Sequence, residues 1–155
     1  MNDSLPVIFR RIAISPCNSL VLVPTAISSC GETNVTPVSL LFSTSDVTKP
    51  LVSISSDMPT VCAVFSPRKY KKIHKNSGAL FDLAHELLFA VASRSSLSLY
   101  ATTSTKPLAH LSNLHLSNIS DVRWVENTIM VSSADGFITL IYLEEKDLKL
   151  YEPIS

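Results

Sequence analysis

The sequence predicts an all-β fold, and three observations support this prediction. Short stretches rich in valine, isoleucine, leucine and serine alternate with turn residues along the chain, which is typical of strands. The 155 residues are 46% hydrophobic but only 17% charged, so most segments should be buried on at least one face. Similar strand patterns return after about 40 to 50 residues, so the strands are expected to form repeated units.

The strands follow one after another with short connections. Asp135-Gly136 lies between two apolar stretches and predicts a tight hairpin, because glycine accepts a positive φ without steric cost. Residues 79–86 have high helix propensity, and we expect a helical turn there, within an insertion between two strands. The predicted strands are 9–14, 20–25, 38–43, 51–54, 61–65, 87–93, 97–102, 108–111, 119–124, 128–133 and 137–143.

Three similar units organise these strands. Ser15-Pro16 follows the first strand, and Ser66-Pro67 follows a similar strand about 50 residues later. Repeated units of four short strands are typical of β-propeller blades. The sequence therefore predicts a partial WD40-type propeller of about three blades (5–58, 59–112 and 113–145), with a basic insertion at 67–86 and a short tail at 146–155. Three blades do not close a ring, so this chain alone is expected to leave it open.

Composition also excludes several classes of protein. No apolar run reaches the roughly 18 residues that a membrane-spanning helix needs, and the first residues lack the pattern of a secretory signal. The three cysteines, Cys17, Cys30 and Cys62, are odd in number and have no metal-ligand spacing, so we expect reduced thiols in an intracellular protein.

The charge is balanced overall but unevenly spread. Five of the 13 basic residues lie between Arg68 and Lys75, so the rest of the chain carries 8 basic against 13 acidic residues, a formal charge of −5. The basic cluster is either a solvated loop or a contact site for an acidic surface or nucleic acid. The acidic remainder is the better match for a basic partner.

The sequence contains no recognisable catalytic motif. Its four histidines have no cysteine or carboxylate neighbours at zinc-ligand spacing, and there is no HExxH motif, nucleophile elbow or phosphate-binding glycine loop. We therefore expect neither enzyme activity, nor a metal, nor a cofactor.

Four motifs carry a resemblance to a known family. They are FRRIAISP at 9–16, LLFAVAS at 87–93, LSNLH at 111–115 followed by SDVRW at 120–124, and VSSADGF at 131–137. In order and spacing they resemble the last three blades of the middle-sized WD40 subunit of chromatin assembly factor 1, a replication-coupled histone H3–H4 chaperone. The basic insertion is similar to that of a related family, the WD40 subunit of the replication-independent histone-regulator chaperone.

The resemblance implies a nuclear, protein-binding scaffold whose partners are the other chromatin assembly factor subunits and H3–H4, bound directly or through the complex. Direct nucleic-acid binding is not expected, nor is membrane binding. The alternatives are the histone-regulator subunit and a truncated propeller fragment without independent function. Candidate partner-binding residues are Arg10, Arg11, Arg123, Arg68, Lys69, Lys71 and Lys72; candidate structural residues of the blade motif are Ser112, Asn113, His115, Asp121, Trp124, Ser132, Ser133, Asp135 and Gly136.

Overall fold

A computed structural model of the chain describes residues 11–30, 34–71 and 83–144. Within these ranges the chain forms eleven strands and no helix, which confirms the predicted all-β fold. The strands are β1 (Ala13–Ile14), β2 (Leu20–Cys30), β3 (Asn34–Ser43), β4 (Val52–Ser55), β5 (Thr60–Phe65), β6 (Leu88–Ser93), β7 (Ser96–Ala101), β8 (Ala109–Ser112), β9 (Ile119–Val125), β10 (Thr128–Ser133) and β11 (Ile138–Tyr142).

The strands form three separate antiparallel sheets, each of which follows the chain order. The first sheet has the order β1-β2-β3-β4, the second β5-β6-β7-β8, and the third β9-β10-β11. Such short antiparallel meanders are the units from which propeller blades are built. The third sheet has three strands among the described residues, one fewer than each of the others.

The second sheet lies between the other two, and its strands β5 to β7 are largely buried, whereas β8 is exposed. All six residues of β6 are buried, as expected for the central strand of a middle layer. Along β7, Leu97 and Leu99 belong to the core shared with the third sheet, whereas Tyr100 belongs to the core shared with the first. Successive side chains of a strand point to opposite faces, so one short strand contributes to both cores.

Each of the two cores joins neighbouring sheets. Leu22, Leu41 and Ile54 of the first sheet pack with Phe65 and Phe89 of the second. The other core joins the second and third sheets and contains these buried residues: Cys62, Tyr70, Leu88, Ala90, Ala92, Leu97, Leu99, Ala101, Ile119, Val122, Trp124, Ile129 and Val131. The three sheets are therefore held together by apolar contacts between faces.

The outer faces of the first and third sheets are covered by nothing in the described residues. Ile12 and Ile14 are more than half exposed beside the first sheet, and Ile138 and Tyr142 are 62% and 68% exposed on the third. The corresponding faces of strands β5 to β7 in the second sheet are largely buried against the neighbouring sheets. The open ends agree with the predicted partial propeller.

The predicted helical turn at 79–86 is wrong for residues 83–86, which are the part of it that the structure describes. Residues 83–86 contain no helical turn. Instead, the N–H and C=O of Glu86 form hydrogen bonds of 2.9 Å with the backbone of Tyr70, so strand-like pairing overrides the helix propensity. Residues 79–82, the first ten residues and the predicted tail at 146–155 lie outside the described ranges.

Candidate partner-binding surfaces

The carboxylate of Asp135 fixes the loop that leads into the third sheet. Its Oδ2 lies 3.2 Å from Nδ1 of His115 and accepts a hydrogen bond of 3.0 Å from the N–H of Leu116, while its Oδ1 accepts one of 3.0 Å from the N–H of Phe137. The pKa of Asp135 lies below its ordinary value, mainly because the carboxylate accepts the hydrogen bond from Phe137. Desolvation opposes this effect, whereas hydrogen bonds with Leu116 and Ser133 and the charge of His115 add to it. The ionised carboxylate thus links the loop to the β10–β11 turn.

The same turn depends on a buried hydroxyl and on a glycine. Ser133 Oγ donates to the carbonyl oxygens of Ser117 and Asn118, at 3.2 and 3.1 Å, and lies 3.3 Å from the N–H of Asp135, which donates to it. Gly136 has a φ of +86°, a conformation that L side chains rarely adopt. The predicted Asp135-Gly136 hairpin is therefore confirmed.

Replacing Ser133 by alanine should lower the free energy of unfolding by about 0.5–1.5 kcal/mol, because the hydrogen bonds of its buried hydroxyl with Ser117, Asn118 and Asp135 are lost. Urea denaturation followed by far-ultraviolet circular dichroism measures this change. The matched control is Ser120→Ala, an exposed serine of the same sheet whose hydroxyl contacts that of Ser132 at 3.0 Å. Equal effects of the two substitutions would contradict the structural role of Ser133.

Two predicted motif residues terminate the last strand of the second sheet. Ser112 pairs with Ser96 at the end of β8. Asn113 follows with a φ of +56°, and its N–H donates to the carbonyl of Ser95 at 3.0 Å. Asparagine tolerates this left-handed conformation better than most residues, so it suits the position where the chain leaves the sheet.

Two further motif residues hold the third sheet. Trp124 is 6% exposed and donates its Nε1–H to the carbonyl of Glu126 at 3.1 Å, so its ring is buried while its polar atom is satisfied. Ser132 Oγ donates to the carbonyl of Asp121 at 3.3 Å, beside a bulge between β9 and β10. Asp121 is itself partly exposed, whereas Trp124 is buried on the opposite face of β9.

The first strands of the three sheets meet at one place. Arg11, just before β1, forms a parallel bridge with Cys62 of β5, and β5 also lies against β9. The guanidinium of Arg11 reaches Asp121 of β9, with 3.1 Å between Nη1 and Oδ2. This ion pair joins the segment before β1 to β9 past β5, so the first strands of the three sheets lie side by side.

The Arg11–Asp121 pair also limits what each residue offers to a partner. The two side chains are 54% and 36% exposed, and pairs that water reaches to this extent contribute about 1 kcal/mol or less. A partner could therefore replace either residue in the pair at little cost. Arg10 lies outside the described residues, so its relation to this pair stays a prediction.

Arg123 lies on the uncovered face of the third sheet, opposite Met130 of β10. Both residues are exposed, and the same face carries Leu140 of β11 opposite Met130. Asp121, the ion-pair partner of Arg11, lies two residues before Arg123 on β9. A partner that bound Arg123 would also contact apolar side chains.

The basic segment after β5 is anchored by Tyr70. This ring is 2% exposed, and its hydroxyl lies 2.9 Å from Ser66 Oγ, within hydrogen-bond distance. Arg68 and Lys69 are half-buried beside it and Lys71 is exposed, whereas Lys72 falls outside the described residues. The segment therefore leaves the second sheet at a fixed point. The charge of the segment was predicted from the sequence, but the burial of Tyr70 was not. A single tyrosine within a lysine-rich run could have indicated it.

Cys17 is a second feature that the sequence did not indicate. Its Sγ lies 3.4 Å from Ser15 Oγ and 2.7 Å from Ser19 Oγ. Burial raises the pKa of the thiol, but hydrogen bonds from Ser15, Ser19 and His85 outweigh this effect and lower the pKa to about 6. By contrast, burial, with the nearby negative charge of Asp121, raises the pKa of Cys62 to about 12.

Iodoacetamide should therefore alkylate Cys17 and leave Cys62 unreacted at pH 7, because only the thiolate is nucleophilic. With Cys30→Ser as the starting variant, the rate should fall as the pH drops and be half-maximal at about pH 6. Mass spectrometry of quenched time points gives this rate, and Cys17→Ser is the control that abolishes labelling. A half-maximal rate near the ordinary thiol pKa of 9.0 would contradict the hydrogen-bonded arrangement.

The described residues show neither a metal site nor a membrane-spanning helix. Within the described ranges, no group of three His, Cys, Asp or Glu side chains could hold a metal ion. In the same ranges, no helix has the length and apolar character needed to cross a membrane. The polar residues described above stabilise loops and turns, and Arg11, Lys71 and Arg123 are exposed. The class that the fold defines is a β-propeller.

Comparison with known families identifies the kind of propeller. The sequence matches the family model described as the CAF1B/HIR1 beta-propeller domain over residues 1–148. The chain therefore belongs to the CAF1B/HIR1 β-propeller family, which confirms the resemblance seen in its motifs.

Several characterised relatives have similar sequences. A chromatin assembly factor 1 subunit of Saccharomyces cerevisiae is 30% identical over 154 residues, which cover 92% of this chain and 32% of that protein. The corresponding subunits of Gallus gallus and Mus musculus are 30% and 31% identical, over 95% of this chain and 28% of their own length. The chain thus spans about a third or less of these relatives. The computationally designed Ika4 protein is similar with a TM-score of 0.47 and 9% identity, over 87% of this chain and 92% of that one.

Proposed function

We propose that this protein is a protein-binding scaffold subunit of a histone H3–H4 chaperone complex that acts in replication-coupled nucleosome assembly in the nucleus. The observation that carries the proposal is the family match over residues 1–148, together with relatives named as subunits of chromatin assembly factor 1. Its partners are the other subunits of that complex, and H3–H4, bound directly or through them.

The distribution of charge supports a scaffold that holds a basic partner. Outside the basic cluster the sequence carries 8 basic and 13 acidic residues, which favours association with positively charged proteins such as histones. The basic segment leaves the second sheet beside Tyr70 and includes the exposed Lys71, and its charge suits a different, acidic partner. Direct binding of nucleic acid is not part of this proposal, nor is catalysis.

The second candidate is the WD40 subunit of the histone-regulator chaperone, which acts outside replication. The matched family model is named after both kinds of propeller, CAF1B and HIR1. The histone-regulator subunit therefore remains the alternative. The two candidates differ in the subunits with which the protein should assemble, and this difference can be measured.

Affinity capture of the tagged protein from nuclear extract, followed by quantitative mass spectrometry, tests the proposal. We expect the other chromatin assembly factor 1 subunits to be recovered together with H3–H4. Recovery of histone-regulator subunits in their place would select the alternative. Recovery of neither set would contradict both.

Charge reversal tests the role of the basic segment in the same capture experiment. Replacing Arg68, Lys69 and Lys71 by glutamate should reduce the recovery of a partner that binds through acidic side chains, and more so at low salt. The matched control replaces Lys49 and Lys106, which are exposed on other loops, by glutamate. Equal recovery with both variants would exclude the basic segment as a contact.

A further inference from the structure

A cleft of about 450 Å³ separates the outer strands of the first and second sheets. It runs from the β6–β7 turn at Ser95 to the β7–β8 loop at Pro107. The first sheet contributes Ile54 and the loop after β4, and the second contributes β7 and β8. Serines are the commonest residues of its lining: Ser39, Ser55, Ser56, Ser93, Ser95, Ser96, Ser98 and Ser112.

The cleft exists because small residues occupy positions that face the neighbouring sheet. On β7, Leu97 and Leu99 fill the core with the third sheet, whereas the alternating Ser96 and Ser98 face the cleft. Further along the same face, Tyr100 is large enough to pack in the core with the first sheet. Large side chains therefore fill the contact between the two sheets at Tyr100, whereas beside Ser96 and Ser98 the cleft stays open.

The walls of the cleft offer both apolar and hydrogen-bonding surface. Ile54 and Val91 contribute aliphatic side chains. At the base, the hydroxyls of Ser39 and Thr60 are buried and lie 3.1 Å apart across the two sheets. A ligand here would meet an aliphatic wall and several neutral hydroxyl groups, which is the environment that suits a long side chain with a polar end.

The charge of the lining favours a cation. Among the described residues that line the cleft, Asp57, in the loop after β4, is the one carboxylate, and none of them is a lysine or arginine. His110 is held by Ser98 Oγ, 2.8 Å from its Nδ1. Burial raises the pKa of Tyr100, a hydrogen bond with Ser98 opposes this effect, and the charge of Asp57 adds to the rise. The Asp57 carboxylate and the Tyr100 hydroxyl therefore influence each other, and both residues line the cleft.

We propose that this cleft binds an extended peptide segment of a partner protein, with a lysine or arginine side chain directed to Asp57. The six residues of β7 span about 20 Å, which matches an extended segment of about six residues. The aliphatic stem of the side chain lies against Ile54 and Val91, and its charged end meets Asp57 and the serine hydroxyls. This proposal goes beyond the chromatin assembly role and does not depend on it.

Fluorescence anisotropy with the full chain tests the proposal. The probe is a labelled heptapeptide of alanine and threonine with one central lysine, and matched peptides carry norleucine or glutamate at that position. Asp57→Asn should weaken binding of the lysine peptide by about fivefold, the effect of one exposed ion pair, and leave the norleucine peptide unchanged. Ser98→Leu should weaken both peptides by about tenfold or more, because the added side chain fills the cleft.

Glu126→Gln, which removes a carboxylate in the β9–β10 turn far from the cleft, is the matched control and should bind like the unaltered chain. Circular dichroism establishes that each variant is folded, and Asp57→Asn changes a loop residue that lies outside both cores. Unchanged lysine-peptide affinity in Asp57→Asn would overturn the proposal. So would glutamate-peptide binding as tight as that of the lysine peptide. This binding measurement is independent of the affinity-capture experiment. If capture recovered no chromatin assembly factor subunits, the peptide result would still stand.

Discussion

Phe89→Ala should lower the free energy of unfolding by about 3–5 kcal/mol, a large part of the stability of a domain of this size. Phe89 is 1% exposed in the middle strand of the second sheet. Its ring stacks on that of Tyr100, with centroids 5.4 Å apart and an interplanar angle of 13°, and lies 5.6 Å from the ring of Phe65. Alanine at this position leaves a cavity between the first two sheets, which the surrounding strands cannot close.

Urea denaturation monitored by circular dichroism measures this loss, and Phe137→Ala is the matched control. Phe137 is 69% exposed beside the β10–β11 turn, so its removal should change the unfolding free energy by about 0.5 kcal/mol or less. If the two variants were equally stable, the packing of the first sheet on the second would not be as described.

The isolated chain should associate with itself, and charges on the uncovered face of the third sheet should abolish this association. Met130, Leu140 and Tyr142 form exposed apolar rows across β10 and β11. The equivalent faces of the second sheet are buried, and open apolar sheets favour aggregation. The double variant Leu140→Glu, Tyr142→Glu should therefore shift the chain to monomer, because burying either carboxylate would be unfavourable.

Sedimentation velocity over a range of protein concentrations measures this shift. The matched control is Leu116→Glu, which changes a leucine that is 98% exposed on the loop between β8 and β9. This control should associate like the unaltered chain. A stable monomer of the unaltered chain at every concentration would contradict the inference that its end faces lack a cover.

The strands were predictable because their signal is local. Leu97 and Leu99 in β7, and Val122 and Trp124 in β9, alternate with polar residues, and this pattern indicates both the strand and its buried face. The Asp135-Gly136 hairpin was predictable for the same reason, since its turn chemistry is contained in two residues. The family motifs depend on such local segments too.

Features that join distant segments were not predictable. Arg11 and Asp121 are far apart in sequence, and their contact exists because β1, β5 and β9 of three different sheets lie next to one another. Glu86 lies in a segment of helical propensity, but pairing with Tyr70 decides its conformation. The cleft also depends on two sheets, although the alternation of Ser96 and Ser98 with leucines was a visible signal that one face of β7 is poorly filled.

Capture of nascent chromatin after depletion of the protein tests the proposed role most directly. Newly replicated DNA is labelled and isolated, and newly synthesised H3–H4 on it is quantified. The proposed role predicts that H3–H4 deposition on nascent DNA falls and that deposition outside replication is preserved. Normal deposition on nascent DNA, with a loss elsewhere, would contradict replication-coupled assembly and favour the histone-regulator alternative.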